Sequence, residues 1–340
     1  MSAKPISNIT VVLGAMNVGA PDNLGAVRFT THDATTEILD VFQRYGHSEV
    51  DTARTYGNGT SEEYLGAVGW QKRGIKMETK LYPTKGKTMG AIFSEELSHS
   101  PADLRKGLTD SLKALKTDKV YMYYLHGPDR SVPFEDTLRE VNKIYEEGVF
   151  ERFGISNYFS WEVAQICEIC KRNGWILPSV YQGQYSTIQR GVEAELIPCL
   201  RAYGLSFYAF NPLAGGLLTS RYTRDQTVFD GSARFDPARM AGKMLRGRYW
   251  NDATFKALEL LRPVIALHGI TESEAALRWL AHHSMLKKEL GDGIVVGAGS
   301  TYHLEDNLKA LDQGPLPADV VEALDAGWEH TRGQPSKYWH

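Results

Sequence analysis

The sequence predicts an α/β protein folded as a closed (β/α)8 TIM barrel, and three observations lead there. Short β-branched and aromatic runs alternate along the whole chain with longer segments carrying apolar residues at helical spacing, and eight such runs can be counted. Several of them, VYMYYL and IVVGA among them, are continuously apolar, as strands covered on both faces by helical crossovers must be. The turn after the first run reads GAMNVG, without the G-x-G-x-x-G spacing that an open, doubly wound nucleotide-binding sheet would carry there.

Taken in order, a strand over 9–15 leads to a helical pattern over 34–45, a strand over 48–53 to a helix over 61–69, and a strand over 76–82 to a helix over 104–116. The strand over 120–127 precedes a helix over 135–147, that over 152–157 a helix over 161–173, and that over 179–184 a helix over 194–203. A seventh strand over 206–213 is followed by a helical pattern over 254–268, and the eighth covers 293–298. Residues 1–340 read as a single barrel domain, a size such barrels reach. Long loops are expected at about 83–100 and 214–251, with a C-terminal tail at about 327–340 over the barrel mouth. Loops of such length in a compact domain usually serve a function.

Composition narrows the class. Hydrophobic residues at 42% and charged residues at 23% are ordinary globular usage, so a packed core is available. A net charge of -3 with no block of lysine or arginine argues against nucleic acid or an anionic membrane surface as partner. The three cysteines, Cys167, Cys170 and Cys199, are too few for a disulfide framework, which points to a reducing compartment. The opening MSAKPISNITVVLGAM has neither the length of a membrane span nor the arginine bias of a transit peptide, so a cytoplasmic protein is expected.

In a barrel of this kind, chemistry gathers at the C-terminal ends of the strands. That rule selects Asp51, Lys80, His126, Ser156 with Asn157, Gln182, Asn211, and the residues from Gly297 onward. Asp51 ends the second strand in DTARTYGNG, with Tyr56 five residues on; Lys80 ends the third in METKLY; His126 ends the fourth in YYLHGPD. Taken singly, each has an ordinary structural reading as a cap, a loop aromatic, an edge charge or a turn residue. Together they make chemical sense. A lysine among apolar strand neighbours is costly to bury unless paired, and Asp51 on the adjacent strand is the natural partner. An isolated phenol has a pKa near 10, and a neighbouring ammonium favours its phenolate and so makes Tyr56 a better acid. Asp51 would keep Lys80 charged and aimed, and His126 would hydrogen-bond a carbonyl oxygen. A hydride remains to be supplied.

Competing chemistries find no support. His282 and His283 are adjacent and point apart on a helix, and Cys167 and Cys170 lie one turn apart without a second ligand pair, so no metal is expected. There is no G-x-S-x-G elbow and no G-x-x-x-x-G-K-[ST] loop.

The strings DTARTYG, LHGPD, GISNY, YQGQYS and VVGAGS-x3-LEDN, with the strand-end lysine, occur in an order that resembles the aldo-keto reductases over the whole chain. Through LGAMNVG, FNPLAGGLLTSRY, LRGRYW and the ending KYWH, the sequence is most similar to the aflatoxin aldehyde and succinic semialdehyde reductase branch. The resemblance implies a tetrad of Asp51, Tyr56, Lys80 and His126 that reduces an aldehyde with NADPH, Tyr56 giving the proton. It implies a cofactor carboxamide held by Ser156, Asn157 and Gln182 and a nicotinamide backed by an aromatic near Tyr208 or Phe210. The pyrophosphate would be covered by Asn211, Pro212, Leu213, Ala214, Gly215, Gly216, Leu217, Leu218, Thr219, Ser220 and Arg221, where glycines let backbone approach phosphate closely, with Arg234 also on the cofactor. The adenosine and 2′-phosphate would meet Gly299, Ser300, Thr301, His303, Asp306 and Asn307 at a helix N-terminus. A small-molecule aldehyde would contact His126, Arg248 and His340, and a homodimer fits the branch. Three positions depart from the pattern: His303 and His340 stand where arginines are usual, and Leu245 replaces a tyrosine. The alternative reading is a redox-sensing, cofactor-binding regulatory subunit resembling potassium-channel β-subunits.

Overall fold

Eight parallel strands pair strictly in sequence order, and the eighth returns to the first, so the sheet closes on itself. They are β1 (Thr10–Gly14), β2 (Glu49–Asp51), β3 (Lys76–Leu81), β4 (Val120–Leu125), β5 (Phe150–Ser156), β6 (Val180–Gln184), β7 (Ser206–Phe210) and β8 (Gly293–Val296). The computed structural model describes residues 7–21, 25–86, 95–229, 234–334 and 337–340. Each strand lies where the alternation of the sequence puts it, and the ends are trimmed for local reasons. The strand expected over 206–213 stops at Phe210 because Asn211 turns into the left-handed region (φ 56°) and Pro212 has no N–H for the ladder. Asn157, at φ 65°, ends β5 in the same way.

The helices of the first six units are α1 (His32–Arg44), α2 (Thr60–Ala67), α3 (Pro101–Leu115), α4 (Phe134–Glu146), α5 (Ser160–Asn173) and α6 (Leu196–Tyr203), all within a few residues of expectation. After β7 come α7 (Met240–Tyr249), α8 (Asp252–Leu267) and α9 (Glu272–His282); after β8 come α10 (Thr301–Leu311) and α11 (Ala318–Thr331). Two loop assignments need correction. The stretch 214–251 holds a 3-10 turn, Ala214–Gly216, and the whole of α7. Two glycines inside α7 and a side chain at Arg239 that does not cap it weaken its local helical signal. The expected tail over 327–340 begins later, because α11 runs to Thr331 and lies against α8. Residues 87–94, 230–233 and 335–336 of these three segments lie outside the described residues.

Alternation along the strands divides the core into two. Outward residues such as Val11, Leu13, Val50, Met77, Tyr123, Phe153, Tyr181, Phe207, Ile294 and Val296 pack under the helices. Inward residues Val12, Met122, Tyr124, Val180, Tyr208 and Val295 fill the barrel. On β2 and β3 the inward positions are instead Glu49, Asp51, Glu78 and Lys80, all buried. This polar flank of an otherwise apolar interior leads up to the barrel mouth.

The helical layer closes tightly at one glycine. A Cβ at Gly66 in α2 would lie 2.1 Å from the Ala114 carbonyl oxygen of α3, beside the hydrogen bond from Trp70 Nε1 to the Leu115 carbonyl. Gly66→Ala should therefore force α2 off α3 and destabilise by about 1–3 kcal/mol. Gly247→Ala, in α7 with open space around the added methyl, should instead stabilise by up to about 1 kcal/mol. Urea unfolding midpoints should move in opposite directions for the two, and equal shifts would contradict this account of the packing.

Candidate active site

Asp51 ends β2 and Lys80 lies one residue from the end of β3, both facing inward with almost no exposure. Lys80 Nζ donates to Asp51 Oδ1 and, at 2.9 Å, to the Thr52 carbonyl. Gln182 at the adjacent mouth position of β6 donates its Nε2 to the same carboxylate oxygen at 3.0 Å. Burial works against the ammonium, but Asp51 more than offsets this and holds Lys80 above the ordinary lysine range. Lys80 is a permanent cation at the base of the mouth.

Tyr56 starts the tight turn Tyr56–Gly59, in which Gly57 and Asn58 both take left-handed backbone (φ 55° and 56°). Its N–H bonds the Ala53 carbonyl at 3.0 Å, folding the segment after β2 back over the strand ends. The ring centroid lies 5.0 Å from Lys80 Nζ and 5.7 Å from the His126 ring, edge to face at 84°. Burial raises the Tyr56 phenol above its ordinary value, and Lys80 pulls against that shift. The phenol thus holds its proton at neutral pH, with a cation beside it to stabilise the phenolate that release would leave.

His126 follows β4 directly, its N–H bonded to the Leu81 carbonyl at 2.9 Å. Burial, then Lys80, His340 and His99, push the imidazole well below its ordinary range. It is neutral at working pH, and among the described residues its Nδ1 has no hydrogen-bond partner. A neutral imidazole with an N–H at Nε2 is a donor to an oxygen and a poor source of protons. Donor, acid and cation therefore converge from three successive strand ends, an arrangement suited to polarising and protonating a carbonyl.

The other expected residues fall around this centre in different ways. Asn157 Nδ2 is committed to the His126 carbonyl and to Ser156 Oγ, each at 2.9 Å, and Gln182 Nε2 to Asp51. Asn157 therefore offers a ligand its amide oxygen, and Gln182 its oxygen with one further N–H, which suits a carboxamide. Of the two aromatics expected behind a nicotinamide, Tyr208 is excluded. It sits inside the barrel and donates to Glu49 Oε1 at 2.7 Å, leaving Phe210 at the strand end.

The segment from Asn211 to Arg221 forms a tight, glycine-rich turn: Ala214, Gly215 and Gly216 all have positive φ, and Thr219 Oγ1 bonds the Gly216 carbonyl at 2.7 Å. Buried Leu217 and Leu218 anchor it, and the Ser220 N–H is caught by Glu272 of α9 at 2.9 Å. Leu245 of α7 lies over Gly215 so closely that a Cβ there would be 2.7 Å from its Cδ2. Arg221 is exposed, and Arg234 is half-buried with its Nε unpartnered among the described residues. Burial, then Arg28, lower the Arg234 guanidinium. Across the barrel, Ser300 caps α10 by accepting the His303 N–H at 3.2 Å; Asn307 is buried and His303 is exposed. A glycine turn, a guanidinium whose Nε has no partner among the described residues and a capped helix start fit an elongated nucleotide carrying phosphates.

Arg248 was expected on a loop. It lies on the last turn of α7, exposed, within reach of the Tyr249 phenol, which the Gln184 amide also contacts. His340 does reach the mouth: its N–H bonds the Asn157 carbonyl at 3.1 Å, and its Nδ1 lies 3.3 Å from Tyr82 Oη. Sequence reasoning missed Tyr82, whose ring stands edge-on to both His126 and His340, at 5.5 and 6.0 Å. Its place two residues beyond Lys80 was the available signal. Also missed was the hold on the tail. Arg130, paired to Glu162, bonds the His340 backbone oxygen at 2.9 Å, and Trp339 stacks on Phe159 at 3.7 Å. Cys167 and Cys170 are buried in α5, their thiols pushed up to about 12 by burial. Among the described residues, no helix is long and apolar enough to cross a membrane.

Comparison with known proteins bears on the same surface. Residues 10–329 match the Aldo/keto reductase family model. An aldo-keto reductase of Pseudocercospora fijiensis is 49% identical over 302 residues, covering 89% of this chain and all of that protein. The aldo-keto reductase pigE of Monascus ruber is 46% identical over 341 residues, covering 100% and 99%. Aflatoxin B1 aldehyde reductase member 2 of Mus musculus is 41% identical over 347 residues, covering 99% and 89%. A family match spanning every strand of the barrel, with relatives at these identities along nearly the full chain, establishes that this protein belongs to the aldo/keto reductase family and is an oxidoreductase.

Proposed function

We propose that the chain acts as a single-domain, NADPH-dependent reductase of aldehydes in the cytoplasm, with Tyr56 as proton donor. The observation that carries this reading is the buried Lys80 ammonium, ion-paired to Asp51 and 5.0 Å from the Tyr56 ring, with a neutral His126 on the other side of the phenol. Bound nicotinamide supplies the hydride to the carbonyl carbon. His126 donates a hydrogen bond to the carbonyl oxygen and sets its position. Tyr56 transfers its proton to that oxygen as negative charge develops there, completing the alcohol, and Lys80 stabilises the phenolate left behind. Asp51 keeps the ammonium charged, aimed and accompanied, since a lone buried cation would shed its proton. Gln182 and Thr52 fill out the coordination of the pair.

The amide oxygens of Asn157 and Gln182, the Ser156 hydroxyl and Phe210 would hold the nicotinamide end. The turn from Asn211 to Arg221, with Arg234, would hold the pyrophosphate. Gly299, Ser300, Thr301, His303, Asp306 and Asn307 would take the adenosine end, where the α10 N-terminus favours a 2′-phosphate. For Tyr56→Phe, NADPH should still bind, and more tightly than NADH by fluorescence titration, while turnover falls by roughly 10²–10⁴-fold, the usual yield of a positioned general acid. Retained turnover would remove Tyr56 from the role, and equal cofactor affinities would remove the 2′-phosphate from the reading.

For the substrate, we favour aldehydes that carry a carboxylate. The relatives named aflatoxin B1 aldehyde reductase support an aldehyde; the carboxylate rests on Arg248, which stands beside Tyr249, whose hydroxyl reaches the β6 end through Gln184. A guanidinium that closes on a carboxylate there contributes about 1.5–3 kcal/mol. Arg248→Met should then lower kcat/KM for 2-carboxybenzaldehyde by roughly one to two decades and hurt benzaldehyde much less. A ratio of efficiencies that does not change between wild type and variant would leave Arg248 a solvated helix charge.

A further inference from the structure

Directly beneath the tetrad lies a second polar group that the reaction as derived does not use. Glu78 faces inward from β3, two residues below Lys80 and opposite Asp51 in the β2–β3 register, with no exposed surface. Its Oε2 accepts the Tyr124 hydroxyl of β4 at 3.1 Å. Among the described residues its Oε1 has no hydrogen-bond partner, and the Glu49 carboxyl of β2 faces it. Glu49 is better provided: it accepts the Tyr208 hydroxyl of β7 at 2.7 Å, and that phenol lies against the Arg152 guanidinium of β5.

On this flank three carboxyl groups, Asp51, Glu49 and Glu78, meet two cations away from solvent, Lys80 and Arg152; Lys76, in register with Glu49, is exposed with its Nζ over the Tyr121 ring. Asp51 is matched by Lys80. Glu49 is served by Tyr208 and, through it, by Arg152. No buried cation is left for a third negative charge, and the Glu78 carboxylate, whose Oε1 has only the Glu49 carboxyl against it among the described residues, is the most expensive member of the set to ionise. The Lys80 N–H groups are also spoken for, by Asp51, the Thr52 carbonyl and the direction of Tyr56.

We propose that Glu78 is a positioning residue that stays protonated at neutral pH, so that the Lys80 ammonium answers to Asp51 alone beneath the reacting phenol. An ionised Glu78 would place a second carboxylate on Lys80 and weaken its support for the Tyr56 phenolate. The proton instead lets one carboxyl of the Glu49–Glu78 pair donate to the other, as like carboxyls in a shared dry site must. Consistent with this geometry, burial and then Glu49 drive the Glu78 carboxyl well above the usual carboxylate range, with Asp51 adding and Lys80 opposing. The consequence for catalysis rests on the assignment of Tyr56 as proton donor; the protonation of Glu78 does not.

The test begins with infrared spectra of the whole protein at neutral pH, which require no turnover. The wild type should show the carbonyl band of a protonated carboxyl in a dry environment, absent from Glu78→Gln and retained in Glu49→Gln. No such band, or its loss in Glu49→Gln alone, would overturn the proposal. Should Glu78→Gln not fold, Glu78→Asp keeps the assignment testable: the shortened side chain should shift the band if Glu78 carries it, and an unshifted band would place the proton on another carboxyl and overturn the proposal. The second readout is the pH profile of alcohol oxidation. Glu78→Gln should leave the apparent ionisation of the phenol in place, whereas a fall of roughly one unit or more would mean that a buried negative charge had been removed and would contradict a protonated Glu78. Glu78→Ala, which strands the Tyr124 hydroxyl, should lower kcat by roughly one to two decades through misplacement of Lys80, and Gln should recover most of it. Equal losses for Ala and Gln would overturn the positioning role. If Tyr56→Phe were to keep its turnover, the spectra would still decide the state of Glu78.

Discussion

The site depends on one buried ion pair. Lys80 and Asp51 have lost nearly all contact with water, and removing two such charges from solvent costs several kcal/mol apiece even after relaxation. Their attraction offsets this only with good geometry and with every remaining donor and acceptor satisfied. The Thr52 carbonyl and the Gln182 amide provide that satisfaction. Such a pair is a poor device for stability, since a pair of well-packed apolar side chains would do as well. In the proposed mechanism its value is electrostatic preorganisation: a cation fixed beside Tyr56 before any substrate arrives would need no reorganisation when charge develops on the phenol.

The barrel around this pair can be seen as the means of affording it. Parallel strands bring Asp51, Lys80, His126 and Gln182 to one rim from segments far apart in the chain, on backbone locked into a closed hydrogen-bond ladder. The apolar half of the interior, built from Val12, Met122, Val180 and Val295, keeps the dielectric low, which strengthens the pair and keeps His126 neutral. The rim is completed by pieces with no strand of their own: α7 closing over Gly215, and the tail held by Arg130 and by the stacking of Trp339 on Phe159. The left-handed turn at Gly57 and Asn58 places the phenol over the pair.

Much of this was legible in the sequence because it is written locally. Strands such as VYMYYL announce themselves by β-branched and aromatic runs, and the barrel rule then turns each strand end into a candidate for the site. Asp51, Tyr56, Lys80 and His126 are brought together as that reasoning requires. Less was legible where the deciding contact lies far away or where a local rule is broken. Glu78 carries no local sign of its place in METK; only closure of the barrel shows that it faces a dry interior shared with Glu49 and Tyr208. Tyr208 looked available to a cofactor for the same reason, yet its hydroxyl is spent on Glu49. In α7, Gly242 and Gly247 mask helical periodicity that tertiary packing over the glycine turn then enforces. The docking of Trp339 on Phe159 joins residues 180 positions apart, and neither local stretch hints at the other.

In the proposed mechanism Lys80 and Asp51 act on Tyr56 as one unit. A double-mutant cycle on kcat/KM for aldehyde reduction tests it most directly, using Lys80→Met, Asp51→Asn and the two combined. If the pair acts as a unit, the combined variant should lose little more than the worse single variant, as residues that work together behave. Losses that simply add in free energy would show the two residues acting independently and would contradict the account.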